Sequence, residues 1–349
     1  VYTRWEYVDR NQMTYHHLWA ANPDGTGQMV FFGNQHPGPG VPPPRFFGVA
    51  MLDAKPIPGT GKVVASFSPS HGRWEHMGYV TVVDPGLGPD ARRLARKVNP
   101  KRMFRDPYAF SEDCFLVADE AGIWVMDGEG NTELVYALPP ADKGLACHEP
   151  RPLRARTPEP IRPAHVDLTA DTGELVLENI YEGRNMEGVR PGEIRKLLVL
   201  EQLPKPVNFS GGQEPLTIGG TFALERILGT VPVESDGSAY MEVPAGRALF
   251  FVALDERDLS VKRMQSFVTV QPGERASCVG CHEARLAAPH PKPGLLAAAR
   301  PPSRIAPVPG VPEVFDYPRH VQPILDTHCV RCHNADRPEG RVDLSGDRT

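Results

Sequence analysis

The stretch Leu18-Trp-Ala-Ala-Asn-Pro-Asp-Gly-Thr26 carries the clearest fold signal in the chain. Its first four residues are apolar, and the next four supply the asparagine, proline, aspartate and glycine that tight reversals require. A second apolar run, residues 28–32, comes directly after it. The stretch therefore predicts a β-hairpin, with one strand ending near Ala21 and the next beginning near Gln28.

A looser copy of this unit, Ile123-Trp-Val-Met-Asp-Gly-Glu-Gly-Asn131, lies further along the chain. Between the two copies, apolar runs alternate with turn clusters such as Asp84-Pro-Gly-Leu-Gly-Pro-Asp90. Recurring strand–turn–strand units are typical of β-propeller blades, and the first unit resembles the blade hairpin of TolB-like propellers. A β-sandwich is the alternative, because periodicity alone does not separate the two. The predicted strands here are residues 2–8, 17–21, 28–32, 63–67, 79–83, 114–118, 123–126 and 133–137.

Residues 156–275 are also rich in strand patterns but lack that repeat. The predicted strands are residues 174–181, 196–200, 239–243, 249–254 and 261–270, and Ser235-Asp-Gly-Ser238 is predicted as a hairpin turn. They predict a small antiparallel sandwich as the middle domain. Prolines are dense in residues 291–313, which predicts an extended linker. Residues 318–328 have helical character, with Val321, Ile324 and Leu325 on one face.

The overall composition is that of a mainly β globular protein and excludes several classes. The 349 residues are 40% hydrophobic and 23% charged, with a net charge of −5 and 38 prolines beside 33 glycines. The chain contains no cluster of basic residues that would indicate nucleic-acid binding. No apolar run reaches the roughly 18 residues that a membrane helix needs. The proline and glycine content argues against a helical bundle. Because the chain begins at Val1 without a signal peptide, we expect an internal piece of a longer protein.

Two short motifs carry the chemistry, Cys278-Val-Gly-Cys281-His282 and Cys329-Val-Arg-Cys332-His333. In a c-type haem, two cysteine thiols separated by one helical turn bond to the porphyrin vinyl groups, and the following histidine ligates the iron. From 6 cysteines and 12 histidines, on the order of 0.003 such motifs are expected by chance. We therefore predict two covalent haems c. The cofactor-binding residues are Cys278, Cys281, Cys329 and Cys332, and the metal ligands are His282 and His333.

A zinc site with four thiolates is the alternative for these cysteines. However, 47 residues (282–328) separate the two pairs, against about 15–20 in common zinc sites, and zinc needs no histidine after each pair. Acidic loops at 84–90 and 127–131 offer oxygen ligands for calcium, but no stretch matches a defined calcium loop. Haem c is attached outside the cytoplasmic membrane, so we predict a periplasmic or otherwise extracytoplasmic protein.

The sixth coordination position of the iron determines the function of a haem. A haem whose sixth position is occupied by a protein ligand carries electrons, whereas an open position allows a substrate to bind and react at the iron. The loop histidines His36, His71 and His76 are candidates to face the first haem, and the sixth ligand of the second is expected beyond Thr349. Three functions stay open: an electron-transfer or sensing cytochrome with redox-protein partners, a haem oxidoreductase with propeller loops over the first haem, or a propeller-based binding scaffold whose haems are structural. No catalytic residue is identified.

Segments around both motifs resemble the hydrazine synthase alpha-subunit-related multihaem c-type cytochrome family. They are Phe267-Val-Thr-Val-Gln-Pro-Gly-Glu-Arg-Ala-Ser-Cys278, Gly229-Thr-Val-Pro-Val-Glu-Ser-Asp-Gly-Ser-Ala-Tyr240 and Tyr317-Pro-Arg-His-Val-Gln-Pro-Ile-Leu-Asp-Thr-His-Cys329. The resemblance implies a propeller carrying one haem, a β-rich middle domain and a C-terminal cytochrome domain with the second haem. It also implies a small nitrogenous substrate at the first haem and electron transfer through the second.

The expected domains follow the same order. They are propeller blades at 1–155, a middle domain at 156–275, a first haem segment at 276–290, a linker at 291–313 and the start of a cytochrome domain at 314–349.

One residue departs from the family. There, a tyrosine four positions after the first motif histidine ligates the iron and that histidine turns toward zinc. Here this position is Leu286, which cannot ligate iron, so His282 is the expected ligand.

Overall fold

The computed structural model describes residues 1–7, 14–33, 50–69, 76–89, 91, 95–142, 144–156, 158–183, 186–204, 224–264, 266–281 and 292–346. The strands are β1 (Tyr2–Tyr7), β2 (Thr14–Ala20), β3 (Met29–Phe32), β4 (Ala50–Pro56), β5 (Val63–Ser68), β6 (Tyr79–Val83), β7 (Ala95–Lys97), β8 (Arg105–Ser111), β9 (Cys114–Ala118), β10 (Gly122–Asp127), β11 (Thr132–Ala137), β12 (Thr172–Leu177), β13 (Lys196–Gln202), β14 (Glu225–Pro232), β15 (Ala239–Pro244), β16 (Leu249–Leu254), β17 (Ser260–Arg263) and β18 (Arg275–Cys278). An α-helix, α1, spans Gln322–His328, after a π-helical turn at Tyr317–Val321. Short 3-10 turns lie at Pro140–Asp142, Ala297–Ala299 and Glu339–Arg341.

The first eleven strands form three successive antiparallel meanders, β1-β2-β3, β4-β5-β6-β7 and β8-β9-β10-β11. Each strand pairs with its neighbour in sequence, and β4 contacts β1 and β2 of the first sheet and β8 of the third. Meander sheets that pack side by side through their early strands have the arrangement of propeller blades. The predicted blade-like β architecture is therefore present.

The central blade shows why its sequence is continuously apolar. Every residue of β5 is buried, and successive side chains point to opposite faces of the sheet. Val63 and Phe67 pack with Leu18 of the first blade, whereas Val64 packs with Phe115 of the third. Because both faces are covered, the strand needs no polar alternation. Each fully buried side chain of this size contributes about 1.5–3 kcal/mol.

Both copies of the predicted hairpin turn form. The Asn22 amide donates to Thr26 O (2.8 Å) and the Asp127 amide to Asn131 O (3.0 Å). Gly25 and Gly130 take the positive φ angles of +83° and +86° that these reversals require. In the second turn, hydrogen bonds from the side chain and amide of Asn131 lower the pKa of Asp127. The Asp127 carboxylate thus caps its own turn.

The last seven strands form two sheets, β15-β12-β18 and β14-β13-β16-β17. They enclose one core that includes Leu177, Leu197, Val199, Met241 and Leu249. The sandwich is as predicted, except that β18 pairs with β12 in parallel. Residues 235–238 do form a turn, with Gly237 at φ +85°. This turn joins strands of different sheets, because β14 pairs with β13 and β15 pairs with β12.

The segment predicted as a linker is extended and packs along the sandwich. The Ser303 amide donates to Tyr240 O (2.8 Å) of β15, and the backbones of Ala306 and Thr230 of β14 exchange hydrogen bonds. The segment therefore contacts a strand of each sheet. The predicted helix at 318–328 corresponds to the π-helical turn followed by α1.

No helix among the described residues is long and apolar enough to cross a membrane.

Candidate functional site

The second cysteine motif continues directly from α1. The amide of Cys329 donates to Leu325 O (2.7 Å), and the amides of Cys332 and His333 both donate to Cys329 O (3.0 Å each). This turn places Cys329, Cys332 and His333 on one side of the chain, because residues three and four apart share a helical face. The geometry is the one expected of two thiols and an imidazole that serve a single porphyrin.

The His333 ring is oriented by the backbone. Its Nδ1 atom lies 2.8 Å from the carbonyl oxygen of Glu339. A hydrogen bond in which Nδ1–H donates to this carbonyl leaves Nε2 unprotonated, with the lone pair that a metal ion would require. Metal-ligating histidines commonly make such a contact with their other ring nitrogen.

Large apolar side chains close in sequence to this motif face solvent. Ile324 is 59% exposed, Phe315 56% and Tyr317 53%, and no residue of α1 is buried. Exposed apolar groups close together commonly mark a surface that another group covers. The donor set fits a porphyrin, and exposed apolar side chains lie close to it in the sequence.

The first motif begins in a strand. Cys278 is the last residue of β18 and stands opposite Leu177 of β12 in the parallel pair. Residues 279–281 then bend, so the helical turn expected for both motifs is present only at the second. Cys278 is exposed, whereas Cys281 is half-buried and packs against the sandwich core.

Two glycines allow this motif to lie directly against the chain that leaves β12. A Cβ at Gly280 would lie 2.0 Å from Glu182 O, and one at Gly183 would lie 2.1 Å from Cys281 O. The Cys281 amide donates to Glu182 O (2.6 Å). The segment from Cys278 to Cys281 is thus held on a fixed support with no space for a side chain at position 280.

A cavity of about 530 Å³ lies beside this support, lined by Glu178, Asp236 and residues 292–296. Glu178 follows β12 directly, and its amide donates to Cys278 O (2.9 Å). Its Oε1 atom is buried, and in the described part of the chain no donor reaches it. Buried polar atoms normally have a partner. Glu178 Oε1 is therefore a polar atom of the cavity lining that lacks a donor among the described residues.

The first blade contacts the segment that leads into β18. The Arg4 guanidinium lies between the rings of Trp19 and Phe267, 4.2 Å and 4.5 Å from their centroids. The buried Glu274 carboxylate accepts a hydrogen bond from the Gly27 amide (2.6 Å). The propeller hairpin and the strand that ends at Cys278 are therefore in direct contact.

Several residues considered from sequence fall outside the described residues. They are His282, Leu286, His36 and His71. Of the loop histidines, His76 is described and is exposed. The structure thus brings together Cys278 with Cys281, and Cys329 with Cys332 and His333, in two separate places.

The two cysteine pairs do not meet in one four-thiolate site. Within the described ranges, only one group brings three or more ligand atoms of His, Cys, Asp or Glu within 4.8 Å of one another, and it consists of Asp53, Asp106 and Glu149. The geometry therefore does not favour a zinc site shared by the two motifs.

Sequence reasoning missed this carboxylate group, which connects two blades. Lys55 Nζ lies 3.2 Å from Glu149 Oε1, and His148 Nδ1 lies 3.0 Å from Asp106 Oδ2. Burial, together with the charge of Asp106, raises the pKa of Asp53 to about 6. The available sequence signal is an aspartate inside each of β4 and β8, where β-formers are expected.

Comparisons with known proteins give one family and one fold. Residues 188–283 match the family model for the hydrazine synthase alpha subunit middle domain. The structure is similar to that of Kuenenia stuttgartiensis hydrazine synthase, with a TM-score of 0.75 and 19% sequence identity. The match covers 99% of this chain and 55% of that one. No curated protein matches the sequence.

The family match extends over much of the sandwich and includes the first cysteine motif, while the shared fold extends over nearly the whole chain. The chain spans about half the length of the solved protein chain. Together with the blades, the sandwich and the placement of the two motifs, these comparisons show that the chain is related to the hydrazine synthase alpha subunit.

Proposed function

We propose that this chain is part of an extracytoplasmic c-type cytochrome that carries two covalent haems and transfers electrons. The observation that carries the proposal is the second motif. There, Cys329, Cys332 and His333 share one face of a helical turn, and the Glu339 carbonyl orients the imidazole. The relation to the hydrazine synthase alpha subunit supports the same reading.

Each residue of the motifs has a distinct role in this proposal. The thiols of Cys278, Cys281, Cys329 and Cys332 form the thioether bonds, and His282 and His333 ligate the irons. Bound haem supplies a one-electron redox centre. The chain supplies the rigid support beneath Cys278 and Cys281, and it fixes the tautomer of His333.

The compartment and the partners follow from the cofactor. Covalent haem attachment takes place outside the cytoplasmic membrane, so we propose a periplasmic or equivalent location. An electron carrier needs a donor and an acceptor, and the partners we propose are therefore other redox proteins.

Paired cysteine variants test this function. In a host that attaches haem c, the wild type should give a pyridine haemochrome absorbance of two haems per chain. The variants Cys278→Ser/Cys281→Ser and Cys329→Ser/Cys332→Ser should each give one. Cys114→Ser/Cys147→Ser is the matched control and should keep both. Unchanged absorbance in either motif variant would exclude that motif as an attachment site.

A second function, oxidation or reduction of a small nitrogen compound at the first haem, is favoured by the cavity next to that motif. The fold shared with hydrazine synthase also supports this second function. An open iron position would give a high-spin ferric spectrum that shifts with cyanide, nitric oxide or hydroxylamine. A low-spin spectrum that none of these ligands changes would leave electron transfer alone.

A further inference from the structure

We propose that residues 151–156 and 158–165 form a docking site for a protein segment rich in carboxylates. These residues, called the strap below, connect the third blade to the sandwich. They include a single acidic residue, Glu159, and four arginines, Arg151, Arg154, Arg156 and Arg162. Since the whole chain has a net charge of −5, the strap is a positively charged segment of a negatively charged protein.

The strap lies open to solvent in an extended form. Its described residues form no helix or strand, and all four arginines are exposed. Prolines at positions 152, 158, 160 and 163 fix their own φ angles and favour an extended backbone in the residues before them. Leu153 and Ile161 are 104% and 99% exposed. These two aliphatic side chains are therefore available to a partner.

Both ends of the strap are attached to the propeller. At one end, the buried Asp106 carboxylate accepts from the Glu149 amide (3.0 Å), and the Glu149 carboxylate pairs with Arg151 (2.5 Å). At the other end, Asp24 of the first blade accepts from the His165 amide (2.5 Å). A segment that is already held in place loses less conformational entropy when a partner binds. The strap is thus better suited to docking than a free linker would be.

The four arginines differ in how far they are engaged. Arg151 pairs with Glu149, and the Arg154 guanidinium lies 5.1 Å from the centroid of the Phe110 ring. In the described part of the chain, Arg156 and Arg162 form no ion pair, hydrogen bond or ring contact. A guanidinium presents a planar set of N–H donors that matches a carboxylate. These two side chains are therefore available to carboxylates of a partner.

The composition of the strap favours a protein over other anionic partners. The strap contains no phenylalanine, tyrosine or tryptophan. Single-stranded nucleic acids are bound largely by stacking of bases on aromatic rings, and segments that bind a membrane surface commonly insert aromatic or leucine side chains from one face of a helix. An acidic protein segment needs guanidinium groups and aliphatic contacts, and the strap supplies both.

The test is the binding of a fluorescein-labelled peptide with four repeats of Glu-Glu-Leu-Gly, measured by fluorescence anisotropy at physiological ionic strength. The wild-type chain is compared with Arg156→Glu/Arg162→Glu. The matched control is Arg257→Glu/Arg304→Glu, which makes the same change of charge at two exposed arginines without an ion pair in the described part of the chain. Each variant is used once its Tm agrees with that of the wild type.

We expect Arg156→Glu/Arg162→Glu to weaken peptide binding by at least about tenfold, and the control to weaken it by less than about threefold, because screening limits the reach of distant charges. Leu153→Asn/Ile161→Asn should weaken binding by about fivefold through the loss of apolar contact. Unchanged binding in this last variant would overturn the role of the two aliphatic side chains.

Three results would overturn the docking site itself. One is a wild-type chain that does not bind the peptide. Another is an equal loss of binding in the strap variant and the control, since the attraction would then depend on net charge alone. The third is strap-dependent binding of phosphatidylglycerol vesicles or of a labelled oligodeoxythymidine without binding of the peptide. The test requires no haem, so its outcome is independent of the proposed function.

Discussion

The carboxylate of Asp119, the residue that follows β9, accepts several hydrogen bonds. It accepts from the Ala121 amide (2.8 Å), the Trp124 indole (2.9 Å) and the Arg102 guanidinium. Burial opposes ionisation, but the hydrogen bonds from Trp124, Ala121 and Arg102 prevail and lower the pKa of Asp119. Because the folded pKa is the lower one, these contacts stabilise the fold above about pH 4, and this stabilisation is lost as pH falls through the folded pKa.

We predict that Asp119→Asn costs about 1–3 kcal/mol at neutral pH. We also predict that the fall in Tm on acidification is smaller in this variant than in the wild type, since its stability no longer depends on this carboxylate. Calorimetry at neutral and acidic pH measures both, with the exposed Asp113→Asn as the control. Equal falls in Tm would contradict the assignment.

Asp53 has the opposite dependence on pH. Burial and the nearby Asp106 raise its pKa to about 6, so its charged form destabilises the fold above that pH. This destabilisation by the ionised carboxylate disappears as the pH falls from 6 toward 3.8, the ordinary pKa of an aspartate. We predict that Asp53→Asn stabilises the protein at neutral pH by on the order of 1 kcal/mol, since partial exposure screens the effect. Urea unfolding should show this gain shrinking toward pH 4; a gain independent of pH would refute the explanation.

Gly280 is tightly constrained in the first motif. We predict that Gly280→Ala costs at least about 1–3 kcal/mol, because its Cβ would overlap the Glu182 carbonyl. The variant should also carry less haem at Cys278 and Cys281. Gly61→Ala is the control, since its Cβ would meet nothing within 4 Å. Thermal unfolding and intact mass report the two effects, and a variant as stable and as loaded as the wild type would contradict the prediction.

At the scale of single residues, the sequence predicted the groups whose spacing is set by covalent chemistry. The sequence predicts Cys329, Cys332 and His333 as one site, because haem c attachment requires this order, and the structure places them on one side of a turn. Glu178 and Asp53 could not be identified, because their environments arise from strands that meet only in the fold. Neither residue belongs to a local motif.

Many strands with apolar runs were predicted, but β4, β7, β8, β14 and β18 were missed, and the predicted strand at 261–270 is only the four residues of β17. The bounds of β6, β9 and β16 agree with the predicted runs, since burial on at least one face selects such residues. β8 was missed because it contains Arg105, Asp106 and Pro107, and β18 because it is four residues long and largely exposed. Its parallel pairing with β12 is non-local, so no pattern within the strand could indicate it.

The contact between the first blade and the approach to β18 is an element-scale feature that can be tested. The carboxylate of Glu274 accepts from the amides of Gly27 (2.6 Å) and Gln271 (2.7 Å) and is buried. We predict that Glu274→Ala costs about 2–3 kcal/mol or more, because it leaves two amides without an acceptor. Urea unfolding measures the loss, and Glu256→Ala in an exposed turn should lose less than about 0.5 kcal/mol. A loss no greater than that of the control would show that this contact is dispensable.

The hairpin of the same blade also contacts the chain that enters the sandwich. Asp24 Oδ2 accepts from the His165 amide (2.5 Å), and this bond, with those from Thr26, holds the pKa of Asp24 well below its usual range. The turn that signals the propeller in the sequence therefore has a second role. It joins two parts of the fold.

For the molecule as a whole, the sequence correctly indicated a mainly β protein with blade-like sheets and a sandwich-like unit, related to the hydrazine synthase alpha subunit. It did not indicate how these parts touch. Arg4 and Phe267 are 263 positions apart, and local patterns carry no information about contacts of that range. The proline-rich segment was expected to be extended, but its backbone pairing with Thr230 and Tyr240 depends on strand edges that only the assembled sandwich presents.

The measurement that tests the central claim most directly is the intact mass of the denatured chain, purified from a host that attaches haem c. Denaturation removes every group that is not covalently bound. We predict the mass of the polypeptide plus two haem groups, with Cys278, Cys281, Cys329 and Cys332 unreactive toward thiol reagents. A chain of unmodified mass, with these four thiols reactive, would contradict the account.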